Sequence, residues 1–321
     1  MAHEIDMSNG RKNMAFVGQT PWHGLGSKLP VGADIETWRT AAGLAWEVEA
    51  TAALYHDAGE FKSFPDTQIL LRSDTRAPLS VVSKWYNTVQ PGEVLGFFDE
   101  LVRAGGFELE TAGALRGGKR IWALARVGEE AKIVDGDMIK PYLLLATSYD
   151  ASMATLAQFT SVRVVCNNTL SAAANNGEHR VKIPHLSKFN AKDVRDQLHI
   201  AVSGWEQFLT DTRRMAATPL DAQGADAYML DVFKVEGETP EPIAKARKSK
   251  AYKSILALFD GTAVGSEMVG QTVWGAVNAV TEYVDHERGA KRESALDAAW
   301  FGEGAALKDR AFKVARELVY V

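Results

Sequence analysis

Short runs of β-branched and aromatic residues occupy the first third of the chain, and clusters of turn-forming residues separate them. The runs 46–54, 68–72 and 79–85 predict β-strands, and Asp57-Ala58-Gly59-Glu60 is a signal for a hairpin turn. Alternation along the third run predicts that Lys84 and Tyr86 share one face of the sheet, while Trp85 points to the other.

A helix is predicted after these runs, and more strands after the helix. Pro91 suits a first helical turn, apolar residues from Val94 to Val102 fall on one face, and Gly105-Gly106 ends the helix. Further strands are predicted at 107–111, 120–127, 142–148 and 162–165. The last of them is expected to run into a helix at 168–175, with Asn167 or Asn168 as its N-cap.

After His185 the apolar positions repeat at helical spacing. Three helices are predicted there, starting at Asn190, along the valines from Val269 to Val284, and over 307–319. The segment 234–254 is polar, contains Pro240 and Pro242, and is predicted to be an exposed loop.

Strands grouped before helices favour an α+β fold over a doubly wound α/β sheet. We therefore expect a β-rich α+β domain with an N-terminal arm over residues 1–185. A mainly helical region, residues 186–321, is expected to pack on it.

Composition excludes several classes of protein. The 321 residues are 46% hydrophobic and 24% charged, which is ordinary for a globular protein. Cys166 is the single cysteine, so no internal disulfide can form, and we find neither a signal peptide nor an apolar run long enough to span a bilayer. The expected location is the cytoplasm, with no membrane association.

The formal net charge of −5 argues against a simple duplex-DNA binder, which is usually basic, but it allows a local basic groove. Aromatic and cationic residues mix in the β-rich region, the combination that holds single strands by stacking. The candidate nucleic-acid-binding residues are Arg72, Arg76, Lys84, Tyr86, Arg163, Lys248 and Lys250.

Other candidate chemistry is sparse. Cys166 is either a nucleophile at a strand-to-helix junction or a small buried apolar residue. Asp135 and Asp137 flank Gly136, but the full pattern of a calcium-binding loop is absent. We predict no metal site and no cofactor.

Four segments carry a family resemblance: Trp22-His23-Gly24-Leu25-Gly26, the run from Val162 to Leu170, the run from Trp274 to His286, and Phe301-Gly302-Glu303-Gly304. Together they resemble a phage- and plasmid-encoded family of unknown function. Separately, the order of elements between residues 46 and 127 resembles the core of ring-forming single-strand annealing proteins.

Three hypotheses follow. The first is a homo-oligomeric protein that binds or anneals single-stranded DNA in phage recombination or replication. The second is an enzyme, for which the resemblance implies the polar residues His23, Asn167, Asn278, Glu282 and His286, expected to converge in a pocket. The third is an inhibitor of a host defence factor, whose acidic surface would mimic DNA.

Overall fold

A computed structural model describes residues 5–8, 10–18, 21, 24–163, 169–171, 180–235, 240–289 and 295–320. The strands are β1 (Met7–Ser8), β2 (Arg11–Lys12), β3 (Met14–Val17), β4 (Ser27–Leu29), β5 (Val48–Asp57), β6 (Glu60–Arg72), β7 (Pro78–Ser83), β8 (Phe107–Leu115), β9 (Arg120–Val127), β10 (Ala131–Val134), β11 (Asp137–Ser148), β12 (Thr155–Arg163), β13 (Thr169–Ser171) and β14 (Arg180–Ile183). The helices are α1 (Ile35–Ala41), α2 (Pro91–Ala104), α3 (Ala191–Ala217), α4 (Ala222–Val232), α5 (Pro240–Lys248), α6 (Lys250–Ala257), α7 (Ser266–Val269), α8 (Val273–Glu282), α9 (Ala295–Phe301) and α10 (Glu303–Val319).

The larger sheet has nine strands in its described part, with the central order β13-β12-β11-β9-β8-β3-β4. Strands β10 and β14 extend it beside β11 and β12. Both faces are buried: Leu143 and Leu145 contribute to the main core with α2 and α3, whereas Tyr142 and Leu144 belong to a second apolar cluster on the opposite face. This double burial explains the nearly continuous apolar sequence of β11.

The smaller sheet is the antiparallel meander β5-β6-β7. Ala58 and Gly59 both have positive φ, at 50° and 88°, and form the two-residue turn that the sequence predicts between β5 and β6. A bulge interrupts the pairing, because Ala52 pairs with Gln68 while Leu54 pairs with Ser63. We call the two-stranded part beyond this bulge, residues 54–64, the arm.

The helical half packs on the sheets through one continuous core. Buried side chains from Ala15 in β3 to Val319 in α10 belong to a single apolar cluster. Asn190 begins α3 as predicted, since its side chain accepts hydrogen bonds from the backbone N–H groups of Lys192 and Asp193. The α+β prediction is confirmed.

The predicted loop at 234–254 is wrong from residue 240 onward, because residues 240–248 and 250–257 are helical. Pro240 and Pro242 lie in the first turn of α5, where the missing N–H breaks no helical hydrogen bond. The Ser249 side chain then accepts from the Tyr252 N–H and starts α6. The prolines therefore mark the start of a helix.

Two other predicted helices differ from the structure. Residues 169–171 form β13, which pairs with β12, so the helix predicted at 168–175 is wrong there, and its remaining residues lie outside the described part. The valine stripe from Val269 to Val284 is interrupted at Gly270, whose φ is 59°. Its C-terminal end widens into a π-helical turn at Tyr283–Glu287.

Within the described residues, no helix has the length and apolar character needed to cross a bilayer.

Candidate functional site

Arg72 lies inside the protein and is not part of a DNA-binding groove. Its side chain is 3% exposed and bonds to Asp6 at 2.6 Å. It also bonds to both oxygens of Asp74, at 3.0 and 2.8 Å, and its guanidinium lies 4.4 Å from the centre of the Trp46 ring. The prediction that Arg72 contacts nucleic acid is therefore corrected: two carboxylates neutralise it, and it fastens the N-terminal segment to β6.

Arg76 and Lys84 are exposed, but each forms an ion pair with a neighbouring carboxylate. Arg76 pairs with Glu49 of β5, and Lys84 pairs with Asp66 of β6. The small sheet thus presents ion pairs at Arg76 and Lys84, where the sequence had suggested a local basic groove.

Trp85 and Tyr86 have the opposite exposure to that predicted. Strand β7 ends at Ser83, so strand alternation does not extend to the turn that follows. The Trp85 side chain is 58% exposed, with the Lys84 ammonium 4.8 Å from its ring centre. Tyr86 is half-buried, donates from its hydroxyl to the Ser148 carbonyl at 2.8 Å and stacks on His185, and its burial raises the pKa of its phenol.

The segment 182–188, at and after β14, is joined to the turn that follows β7 and carries two lysines. The Asn87 N–H donates to the His185 carbonyl at 2.6 Å, which joins this segment to the turn after β7. Lys182 and Lys188, three residues on either side of His185, are exposed. We call the group formed by Lys84, Trp85, Lys182, His185 and Lys188 the Trp85 surface.

The arm exposes a second set of aromatic residues that sequence reasoning missed. Phe61 is 76% exposed, and Tyr55 and Phe64 pack edge to face with their ring centres 6.2 Å apart. Lys62 pairs with Asp57 across the hairpin at 2.6 Å. The available signal was a strand-like run that carries phenylalanines at 61 and 64 directly after a hairpin turn.

The remaining nucleic-acid candidates lie elsewhere in the fold. Arg163 pairs with Ile139 in the ladder between β12 and β11, and its side chain is outside the described part. Lys248 and Lys250 are exposed at the junction of α5 and α6, and this helical pair packs on α4. They do not belong to the Trp85 surface.

Two of the enzyme candidates, His23 and Asn167, lie outside the described residues together with Cys166. Asn278 and Glu282 are buried on α8 and hold backbone groups. The Asn278 amide donates to the Trp274 carbonyl at 2.9 Å. The Glu282 carboxylate accepts the Val264 N–H at 3.1 and 3.2 Å. The first bond lies within α8, one turn back along the helix, and the second joins α8 to the loop before α7.

Close packing surrounds the π-helical turn that carries His286. Lys308 of α10 bonds to Asp285 at 2.7 Å, and both side chains are buried. A Cβ atom on Gly304 would lie 2.8 Å from the Ala298 carbonyl oxygen and from Val284 Cγ1. Glycine at 304 therefore permits the contact of α10 with α9 and with this turn.

Other motif residues meet on the second face of the nine-stranded sheet. Leu25 and Phe301, distant in sequence, both pack on the apolar cluster that includes Trp122. Arg120 lies on this side, bonds to Asp297 and Ser152, and has its guanidinium 5.1 Å from the Phe301 ring centre. Two of the segments that carry the resemblance, those with Leu25 and Phe301, thus share one packed region.

Asp135 and Asp137, which flank Gly136, make separate contacts. Asp137 is buried and accepts from the Trp274 indole N–H at 2.8 Å. Asp135 is exposed, and its hydrogen bond with Lys132 lowers the pKa of its carboxyl. Across the described ranges, no group of three His, Cys, Asp or Glu side chains is placed to hold a metal ion.

A family model described as a domain of unknown function, DUF932, matches residues 78–300. The chain belongs to the DUF932 family. The match begins at β7 and reaches α9, so it includes the Trp85 surface and α8, whereas the arm precedes it. No curated protein and no solved structure matches the chain. Membership in an uncharacterised family agrees with the resemblance in its coarse form, and a phage or plasmid origin stays a prediction.

Proposed function

We propose that this DUF932 protein binds single-stranded DNA at the Trp85 surface. The observation that carries the proposal is an indole that is 58% exposed beside the Lys84 ammonium. An exposed ring next to a cation can stack on an unpaired base while the cation faces phosphate, and each stacked base contributes ~1–3 kcal/mol. Lys182 and Lys188 are exposed on the segment that His185 joins to this turn, and we expect them to add positive charge near it.

Stacking, more than charge, is expected to dominate this binding. The net charge is −5, and Lys84 already pairs with Asp66. Only a few phosphates would be neutralised, and the salt dependence of affinity follows the number of neutralised phosphates. We therefore expect moderate affinity, a shallow salt dependence and a clear preference for unpaired strands, whose bases are free to stack.

The resemblance to phage and plasmid proteins suggests the setting of this activity. We place it in the recombination or replication of a mobile element, with a homo-oligomer as the working form. The order of β5, β6, β7 and α2, a three-stranded meander followed by a helix, supports the analogy to the core of single-strand annealing proteins at the level of element order.

Titration of a fluorescently labelled oligonucleotide tests the proposal. Trp85→Ala should weaken binding of single-stranded DNA by about fivefold to 150-fold, because one stacked base is worth ~1–3 kcal/mol. Trp85→Phe retains an aromatic face and should restore most of the affinity. Tyr320→Ala is a matched control, since Tyr320 is also exposed beneath a cation, Arg214, at 4.3 Å.

Two results would contradict the proposal. One is wild-type protein that leaves the anisotropy of a labelled single strand unchanged at about 50 mM salt, where phosphate contacts are strongest. The other is equal weakening by Trp85→Ala and Tyr320→Ala, which would show that binding is not centred on Trp85.

A further inference from the structure

Beyond Val48, no strand in the described part of the chain covers the outer edge of β5. In the order β5-β6-β7, β5 pairs with β6 on one side only, and no other described strand lies on its second side. The N–H and carbonyl of Val48 bond to the Gln90 side chain at 2.8 and 3.0 Å, so these groups point away from β6. By alternation, the backbone groups of Ala50 and Ala52 point outward as well.

The hairpin turn fixes the direction of the remaining groups. Asp57 and Glu60 close the two-residue turn, so their backbone groups face each other. The backbone groups of His56 and Leu54 must then point outward. The free edge thus presents the N–H and carbonyl groups of Ala50, Ala52, Leu54 and His56.

This edge lacks the usual protection against strand pairing. Between Glu49 and Asp57 the side chains are exposed except at Ala53, and the sequence holds neither lysine nor proline. In β6, by contrast, the outer edge near the turn carries Lys62 and Pro65, and Asp66 has a φ of 60°. Lysine, proline and bulges are the devices that block edge pairing, so β6 is guarded and β5 is open.

We propose that the β5 edge pairs antiparallel with the β5 edge of a second copy of this chain, about a twofold axis at Ala53. In that register Ala52 lies opposite Leu54 of the second copy, and Ala50 lies opposite His56. Every outward group then finds a partner, because hydrogen-bonded pairs in an antiparallel ladder join residues that both point outward. Ala53 lies opposite itself at the axis, and on either side of it a small residue faces a larger one.

The self-complementary register, with balanced charge at both ends, points to a second copy as the occupant. Glu49 lies at one end of the edge with Arg76, and Asp57 lies at the other end with Lys62. The antiparallel register places the first ion pair beside the second ion pair of the other copy. Glu49 then lies opposite Asp57 of the second copy, and because each carboxylate keeps its own cation, each end of the contact stays neutral.

The inferred dimer joins two three-stranded sheets into one and carries a Trp85 surface on each copy. This consequence rests on the proposed function, since two sites on one sheet would let a single strand bind both copies. The pairing itself depends only on the β5 edge. The two ideas can therefore fail separately.

Sedimentation of the full chain across a wide concentration range tests the pairing. Wild type and Ala52→Val, which keeps its N–H, should sediment as dimers. Ala52→Pro removes an outward N–H and places a ring on the edge, without breaking a bond to β6, and should weaken dimerisation roughly tenfold or more. Unchanged circular dichroism of Ala52→Pro shows that the monomer still folds.

Disulfide trapping tests the register. In a Cys166→Ser background, the double variant Ala52→Cys/Leu54→Cys should form a cross-linked dimer, since hydrogen-bonded partners lie about 5.5 Å apart at Cα, within the ~4.4–6.8 Å that a disulfide spans. Val81→Cys, exposed on β7, is the matched control and should stay uncross-linked.

A monomeric wild type would overturn the inference, and so would a dimer that survives Ala52→Pro, because it would use another surface. A dimer that binds no single-stranded DNA would leave the pairing intact and end the proposed function. Monomeric protein whose DNA binding depends on Trp85 would overturn the pairing and leave the proposed function intact.

Discussion

The two sheets are built from similar strands but have different surroundings. In the nine-stranded sheet, Trp122 is 1% exposed because α9 and the N-terminal segment cover its face. In the arm, Phe61 is 76% exposed although it also lies in a strand. Aromatic residues in strands therefore carry no fixed role: the elements packed on them decide whether they form a core or a surface.

Ion pairs show the same contrast. Arg72 and Arg76 lie four residues apart, yet Arg72 is 3% exposed and Arg76 is 61% exposed. The first joins distant parts of the chain, and the second joins neighbouring strands on the surface. Substitutions in the two regions should therefore have very different energetic effects.

The largest effect is expected at Arg72. Arg72→Met would leave the buried Asp6 carboxylate without its guanidinium and should lower the free energy of unfolding by about 3–5 kcal/mol. Arg76→Met, which removes an exposed ion pair, should cost ~0–1 kcal/mol. Urea denaturation measures both. Similar losses of unfolding free energy in the two variants would contradict the proposed difference between the buried and the exposed ion pair.

Two glycine-to-alanine substitutions should change the free energy of unfolding by smaller amounts and in opposite directions. Gly304→Ala forces a Cβ within 2.8 Å of Ala298 O and Val284 Cγ1 and should destabilise by about 1–3 kcal/mol. Gly96→Ala on α2 meets no atom within 4 Å and should stabilise by ~0.4–1 kcal/mol. Thermal melting gives both signs, and stabilisation by Gly304→Ala would show that the contact relaxes freely.

Asp74 should make stability depend on acid pH. Burial acts to raise the pKa of its carboxyl, but the hydrogen bonds from Arg72 outweigh it and hold that pKa below the ordinary 3.8. The resulting stabilisation is complete above that ordinary value and is lost as the pH falls through the lower folded pKa.

The measurement compares wild type with Asp74→Asn by urea denaturation at neutral pH and near pH 3. The variant should be less stable by about 1 kcal/mol or less at neutral pH, since the group is partly exposed, and the difference should shrink in acid. A difference that grows in acid would contradict the assigned cause of the pKa shift.

The smallest effect is expected on the arm. Phe61→Ser should change the free energy of unfolding of the monomer by no more than ~0.5 kcal/mol, because the ring is mostly exposed. Phe98→Ala on α2, fully buried, should cost about 3–5 kcal/mol by the same measurement. A large loss of unfolding free energy in Phe61→Ser would mean that the arm is covered in solution.

Local signals predicted much of the fold. The turn at Asp57–Glu60, the start of α2 at Pro91 and the cap at Asn190 each depend on neighbours within a few residues, and the structure has all three. At 240–257 the loop prediction was wrong, because a polar segment that contains prolines is compatible both with a loop and with the start of a helix.

The candidate site was harder to predict because its contacts are long-range. Arg72 meets Asp6, 66 residues away, and Tyr86 stacks on His185. Alternation identified an aromatic and a cation near residue 85 but assigned exposure to Tyr86, since the end of β7 at Ser83 could not be read from composition. Partners distant in sequence decide which cations remain available.

The position of Gln90 limits strand pairing on the β5 edge. Its side chain occupies the backbone groups of Val48, while its own N–H bonds to Glu93 in the first turn of α2. An incoming strand cannot slide inward past this amide without displacing it. Pairing on β5 therefore cannot extend through Val48 while Gln90 stays in place, so a residue that begins a helix also sets how far along this edge an incoming strand can run.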